Sequence, residues 1–163
     1  FFRRLVYRNN YSHGLEFEII IPELKGTTRT QILKSLSRHA SEALNVSASG
    51  LYDLLLKKEQ ASSSGIGGGV AIPHIQVQGP RKGMAIMATL NSQVDFDAVD
   101  GETVDLVCLV ISPERDGPIH LRRLARISRL LRCDDLHKKL IEAKDIEAIR
   151  ALLIDPEGWL MAA

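Results

Sequence analysis

The run Ser62-Ser63-Ser64-Gly65-Ile66-Gly67-Gly68-Gly69-Val70-Ala71-Ile72-Pro73-His74 sets four glycines among five residues ahead of a short apolar segment, a proline and a histidine. Glycine costs more backbone entropy on folding than any other residue, so such a cluster implies φ > 0, or a close approach of the backbone to something else. Backbone amides aimed at an anion would be one such use. Two phosphate loops can be tested against the run. The dinucleotide pattern GxGxxG needs a third glycine at position 70, which is Val70, and the chain then heads for Pro73 instead of opening a helix. The P-loop is excluded because no Gly-Lys-Ser or Gly-Lys-Thr occurs. What remains is a glycine-rich turn, a short strand, and a histidine directly after a residue of fixed φ, which holds the imidazole rigidly at a strand end.

Upstream, Ile32, Leu33, Leu36, Ala40, Ala43 and Leu44 recur at helical spacing over Thr27–Leu44, with Thr28 and Gln31 in a capping-box relation. A second helix is predicted over Ser49–Gln60, capped by Ser49, with Leu51, Leu54 and Leu55 as its buried stripe and Lys57-Lys58-Glu59-Gln60 as a polar end. Downstream, Val70–Ile72 is short and apolar. Met84–Leu90 and Thr103–Ser112 read as strands, the latter ended by Pro113, with the turn-rich Val94–Gly101 between them. The last third is helical: Ile119–Leu131 with Leu121, Leu124, Ile127, Leu130 and Leu131 inward, then Asp134–Ala143, then Asp145–Leu153 opened by an aspartate cap. Helices before and after the strands argue for one α/β sandwich.

Composition narrows the classes of function. The 163 residues are 45% apolar, enough for a substantial core in one domain, and 21 basic against 20 acidic residues leave a net charge of +1. Bulk charge therefore singles out neither nucleic acid nor membrane as partner, and any function must come from a local site. Cys108 and Cys133 lack CxxC spacing and read as reduced thiols. No apolar run reaches the roughly 18 residues of a membrane span, so a soluble, cytoplasmic protein is expected. Residues 1–13, basic and aromatic from Phe1 to Arg8, read as an N-terminal extension or expression remnant, with a basic surface-binding arm as the alternative. Residues 14–158 form the domain and 159–163 a tail.

The run Ser63-Ser64-Gly65-Ile66-Gly67 through Val70-Ala71-Ile72-Pro73-His74 resembles the Ser-Thr-Gly-Ile-Gly-x-Gly-(Ile/Val)-Ala-(Ile/Val)-Pro-His pattern of phosphotransferase-system EIIA domains of the fructose and mannitol type, especially the nitrogen-regulatory branch, EIIA-Ntr. Two further segments, in the same order, resemble that family: Phe96-Asp97-Ala98-Val99-Asp100 with the strand after it, and His120-Leu121 with its helix. The resemblance runs from about Glu18 to Asp155. It implies a central mixed β-sheet flanked by helices on both faces, and a phosphoryl relay in which a histidine-phosphorylated HPr/NPr-type phosphocarrier protein phosphorylates His74 at Nε2, with a backbone carbonyl on Nδ1 fixing the tautomer. No nucleotide or other cofactor is implied.

By the same resemblance His120 lies beside His74 and donates to a phosphoryl oxygen, and Lys58 stands where the family has arginine, keeping the charge without the planar fork. The Ser64 hydroxyl and the backbone at Gly65 and Gly67 are expected to hold phosphate. Ile75 replaces the glycine that commonly follows the histidine. His39 and His137, in helical segments away from these motifs, read as surface residues. A metal site on His74 and His120 would lack a third ligand, and neither HExxH nor GxSxG occurs, so no metal and no serine hydrolase is expected. Two functions remain: a regulatory phosphoprotein whose phosphorylation state selects target proteins, which the nitrogen-branch motifs favour, and a free-standing transport component that hands its phosphoryl group to a IIB sugar-transport domain.

Overall fold

The computed structural model describes residues 17–154; the extension 1–13 and the tail 159–163 lie outside them. The elements are β1 (Ile19–Leu24), α1 (Arg29–Leu44), α2 (Ala48–Ala61), β2 (Gly65–Gly67), β3 (Val70–Ala71), β4 (His74–Val77), β5 (Met84–Val94), β6 (Val104–Pro113), a single 3₁₀ turn (Glu114–Asp116), α3 (Pro118–Leu131), α4 (Asp134–Glu142) and α5 (Ile146–Ile154). One mixed sheet runs in the order β1-β5-β6-β3-β2, with β4 also paired to β6. β5 and β6 are antiparallel, β1 lies parallel to β5, and β3 and β4 succeed one another along β6, both parallel to it.

The two faces of the sheet carry separate cores. Alternation along β6 sends Val107, Leu109 and Ile111 to a core shared with Leu36 of α1 and Leu51 and Leu55 of α2. Leu106, Cys108 and Val110 go to the other, shared with Ile127 of α3, Leu136 of α4 and Ile149 of α5. Helices therefore cover both faces, as expected for the α/β sandwich.

Local chemistry explains most element ends. The Thr28 hydroxyl accepts the Gln31 N–H, and Gln31 Oε1 reaches back to the Thr27 N–H at 2.8 Å, one residue earlier than a strict capping box. Asp145 caps α5 through the Ala148 N–H. α2 begins earlier than predicted and is capped by Ser47, which accepts the Gly50 N–H, while Ser49 falls inside the first turn. Its buried positions are Leu51, Leu55 and Glu59, a stripe at four-residue spacing, so Leu54 lies on the flank and is 49% exposed. In α3 the inward stripe passes through His120, Leu124, Ile127 and Leu131. Leu121, predicted to point inward, is rotated out and 67% exposed because His120 takes that place. No helix among the described residues is long and apolar enough to cross a membrane.

Candidate active site

His74 opens β4 opposite Val110. Pro73 has no N–H to give the ladder, and the break it makes between β3 and β4 is bridged from the other strand by the Val110 N–H, which donates to the Pro73 carbonyl at 2.9 Å. Alternation then sends Ile75 and Val77 to the α1/α2 core. His74 falls on the α3 side of the sheet, the side of Val110. Its Nδ1 lies 2.9 Å from the Ile72 carbonyl oxygen. A carbonyl only accepts, so Nδ1 carries the proton and Nε2 keeps a bare lone pair. Burial lowers the pKa of His74 and Lys58 lowers it further, against opposing effects of the Ile72 carbonyl and Glu59; the net shift is downward.

His120, at the start of α3, faces it with ring centroids 5.5 Å apart and planes inclined at 47°. Although only 3% exposed, it has a polar partner: its Nδ1 is 2.7 Å from the Ser112 hydroxyl. The same hydroxyl necessarily accepts from the Arg123 guanidinium, which can only donate, and Arg123 pairs in turn with Asp116 at 3.4 Å. Among the described residues, Nε2 of neither imidazole has a hydrogen-bond partner. Burial, then the neighbouring His74, Lys58 and Arg123, push the pKa of His120 down to about 4. Lys58, in the last turn of α2, donates from Nζ to the backbone carbonyl of His74 at 2.8 Å, and burial lowers its own pKa. His74, His120 and Lys58 are thus brought together.

The glycine loop is built differently from a cradle of free amides. The Ser64 N–H donates to Glu59 Oε1 at 2.9 Å, the Gly65 N–H to Ser63 Oγ at 3.0 Å, and the Gly68 N–H to Asp100 Oδ2 at 3.0 Å. The Gly65 amide is therefore committed within the protein, and its missing side chain makes room: a Cβ there would lie 2.7 Å from the Ala98 Cβ. Gly67, at φ +94°, turns the chain where a Cβ would meet the Asp100 carboxylate at 3.2 Å. The segment 94–101 clamps this loop, since the Phe96 carbonyl accepts from Ser63 Oγ and Arg29. Ser64 Oγ, by contrast, is the one buried side-chain polar atom among the described residues without a hydrogen-bond partner.

Sequence reasoning missed Glu59, Ser112 and Arg123. Glu59 was visible as the eighth residue after Leu51 on a four-residue stripe, Ser112 as the lone polar residue on the Leu106-Cys108-Val110 face, and Arg123 as the i+3 neighbour of His120. His137 corrects the reading of a plain surface histidine. Its Nε2 lies 2.6 Å from Asp105 Oδ1, and it packs against Gly69, where an added Cβ would come within 3.0 Å of the ring. No group of three or more metal-ligating side chains occurs among the described residues.

A "Nitrogen regulatory protein" of Bradyrhizobium diazoefficiens is 39% identical over 139 residues, 85% of this chain and 91% of that one. A "PTS system fructose-specific EIIA component" of Haloferax volcanii is 31% identical over 103 residues, 63% of this chain and 67% of its own length. The fold superposes on the crystal structure of IIA-Ntr from Neisseria meningitidis with a TM-score of 0.77 at 24% identity, covering 83% of this chain and 92% of that one. Residues 15–155 match the family described as "Phosphoenolpyruvate-dependent sugar phosphotransferase system, EIIA 2". The chain belongs to this EIIA family and stands with its nitrogen-regulatory members.

Proposed function

We propose that this is a cytoplasmic regulatory phosphoprotein: His74 Nε2 accepts a phosphoryl group from an HPr/NPr-type phosphocarrier, and its phosphorylation state selects the proteins that bind. The observation that carries this reading is the facing pair of imidazoles, each with Nδ1 engaged by the protein and Nε2 left for a ligand. In the transfer, the Nε2 lone pair attacks phosphorus as the P–N bond to the carrier's histidine breaks and that imidazole leaves with the bonding electrons. Positive charge grows on the His74 ring and is shared with Nδ1–H, whose hydrogen bond to the Ile72 carbonyl strengthens. His120 donates to a phosphoryl oxygen and Lys58 supplies a fixed positive charge, the positioning and charge compensation that phosphoryl transfer mainly requires. The unpartnered Ser64 hydroxyl supports a phosphate-binding role for that residue, whereas the Gly65 amide already has an acceptor.

The test is a mixing assay with enzyme I, carrier and labelled phosphoenolpyruvate. One acid-labile, base-stable label is expected, absent from a folded His74→Ala variant; stoichiometric label in that variant would overturn the assignment. The likeness to a fructose-specific component supports a second reading, phosphoryl transfer to a IIB domain. Adding IIB domains to the labelled protein separates the two, because a regulatory protein keeps its label.

A further inference from the structure

We propose that Ser112 and Arg123 act as positioning residues that fix the tautomer of His120, so that the two facing imidazoles present opposite chemistry: a bare lone pair on His74 Nε2 and an N–H on His120 Nε2. The argument starts from donors and acceptors. A guanidinium can only donate, so the Arg123 contact occupies a lone pair of Ser112 Oγ and leaves the hydroxyl proton to be placed elsewhere. Ser112 is wholly buried, and among the described residues His120 Nδ1, at 2.7 Å, is the remaining hydrogen-bond partner of its side chain. Were Nδ1 to carry the ring proton, the hydroxyl would receive two donors and its own proton would stay buried without an acceptor, which proteins avoid. The hydroxyl therefore donates to Nδ1, and the neutral ring carries its proton on Nε2.

The supporting structure is built for this purpose. Arg123 is held by Asp116, and Gly83 leaves space for it: a Cβ at Gly83 would stand 2.7 Å from Arg123 Nη1 and 3.0 Å from the Ile111 carbonyl oxygen. A doubly protonated His120 would also donate from Nε2, but burial and the cations around it hold the ring neutral. The consequence for transfer rests on the phosphoryl reading above. With the opposite tautomer, the His120 Nε2 lone pair would face the phosphoryl oxygens and repel them.

Long-range ¹H–¹⁵N correlation of histidine-labelled protein at pH 7 reads the tautomers directly, without phosphorylation. His120 is expected with an acceptor-type Nδ1 and a protonated Nε2, and His74 with the reverse. Ser112→Ala should mix the His120 tautomers and slow phosphoryl acceptance about tenfold, the scale of one lost hydrogen bond. Ser112→Thr should restore both. Because Ser112 is buried, Arg123→Leu provides a second variant at a partly exposed position; freeing the Ser112 lone pair, it should also mix the tautomers. A protonated Nδ1 on wild-type His120, or wild-type tautomer and rate in both Ser112→Ala and Arg123→Leu, overturns the proposal. Wild-type protein with the expected tautomers and no label on His74 would instead defeat the phosphoryl reading and leave the tautomer assignment standing.

Discussion

Lys58 Nζ lies 2.8 Å from the backbone carbonyl oxygen of His74, so the ammonium grips the main chain of the proposed acceptor residue while its charge also reaches both imidazoles. A lysine so placed is a point charge that steers an approaching phosphoryl group without clamping two of its oxygens. Lys58→Ala should slow phosphoryl acceptance roughly tenfold at low salt, with a smaller defect at high salt where screening weakens the lysine's own contribution. Lys58→Arg should match or exceed wild type. The His74 pKa should rise in the alanine variant, since the cation helps to depress it. Equal rates in all three proteins at every ionic strength would reduce Lys58 to a helix-end contact.

His120 makes the fold sensitive to acid. Its pKa in the folded protein is about 4, against 6.5 for the ordinary side chain, because burial and then the nearby cations disfavour the charged ring. Between those values the unfolded chain binds the extra proton and the folded chain does not, so stability falls as pH drops from about 6.5 towards 4. The loss should reach about 2 to 3 kcal/mol. Urea unfolding at pH 7 and pH 4.5 measures it, and in His120→Gln the part of the acid loss due to this ring should vanish.

Glu59 is buried beneath the loop that precedes β2, accepting the Ser64 N–H and lying 3.7 Å from Arg29. Glu59→Ala strands the Ser64 N–H, while Arg29 keeps the Phe96 carbonyl, and should cost about 2 kcal/mol of stability. Glu59→Gln keeps an acceptor for the amide and should lose about half as much. Denaturant midpoints decide it; equal stability of all three proteins would mean that the carboxylate does not support the loop.

Two glycines of the same loop should respond differently to alanine. At Gly65 the new methyl would strike Ala98, 2.7 Å from its Cβ and 2.9 Å from its Cα, whereas at Gly68 it meets open space and only φ +64° resists it. Gly65→Ala should therefore destabilise by about 2 kcal/mol or more and Gly68→Ala by about 1 kcal/mol. Ala98→Gly in the same chain should relieve the first in part, because the Cα at 2.9 Å remains, and leave the second unchanged. An unrelieved Gly65→Ala would mean that the crowding lies elsewhere.

Where the sequence was legible, a residue's own chemistry set its structure. Thr28 and Asp145 cap helices, Pro73 interrupts pairing ahead of His74, and the valine and leucine run 104–112 makes the central strand. Where it was not, the outcome depended on what lay opposite. An apolar stripe at helical spacing sends Leu54 and Leu121 inward, but a polar residue outcompetes leucine for a buried position when a partner waits there: Ser112 for His120, the Ser64 amide and Arg29 for Glu59. β1 was legible in the alternation Leu15-Glu16-Phe17-Glu18-Ile19 and the β-branched run Ile19-Ile20-Ile21 but sequence reasoning missed it, whereas β4 is four residues long and defined by its pairing with β6. His74 could be named from one segment of chain. The partners of His120 left only single-residue signals, a serine on an apolar strand face and an arginine at i+3, because Ser112, Asp116 and Arg123 meet only after β6 has turned into α3.

β6 is flanked on both edges, by β5 along Val104–Ile111 on one and by β3 and then β4 on the other. His74 hangs on it through Val110 and His120 through Ser112. Amides hydrogen-bonded on a doubly flanked central strand are the last to exchange with solvent, whereas edge elements such as β1 and α5 open first. Openings that release β1 and α5 leave β6 and both attachments in place, whereas β4, paired to β6 alone, is the element whose own release would part the two imidazoles that lie 5.5 Å apart.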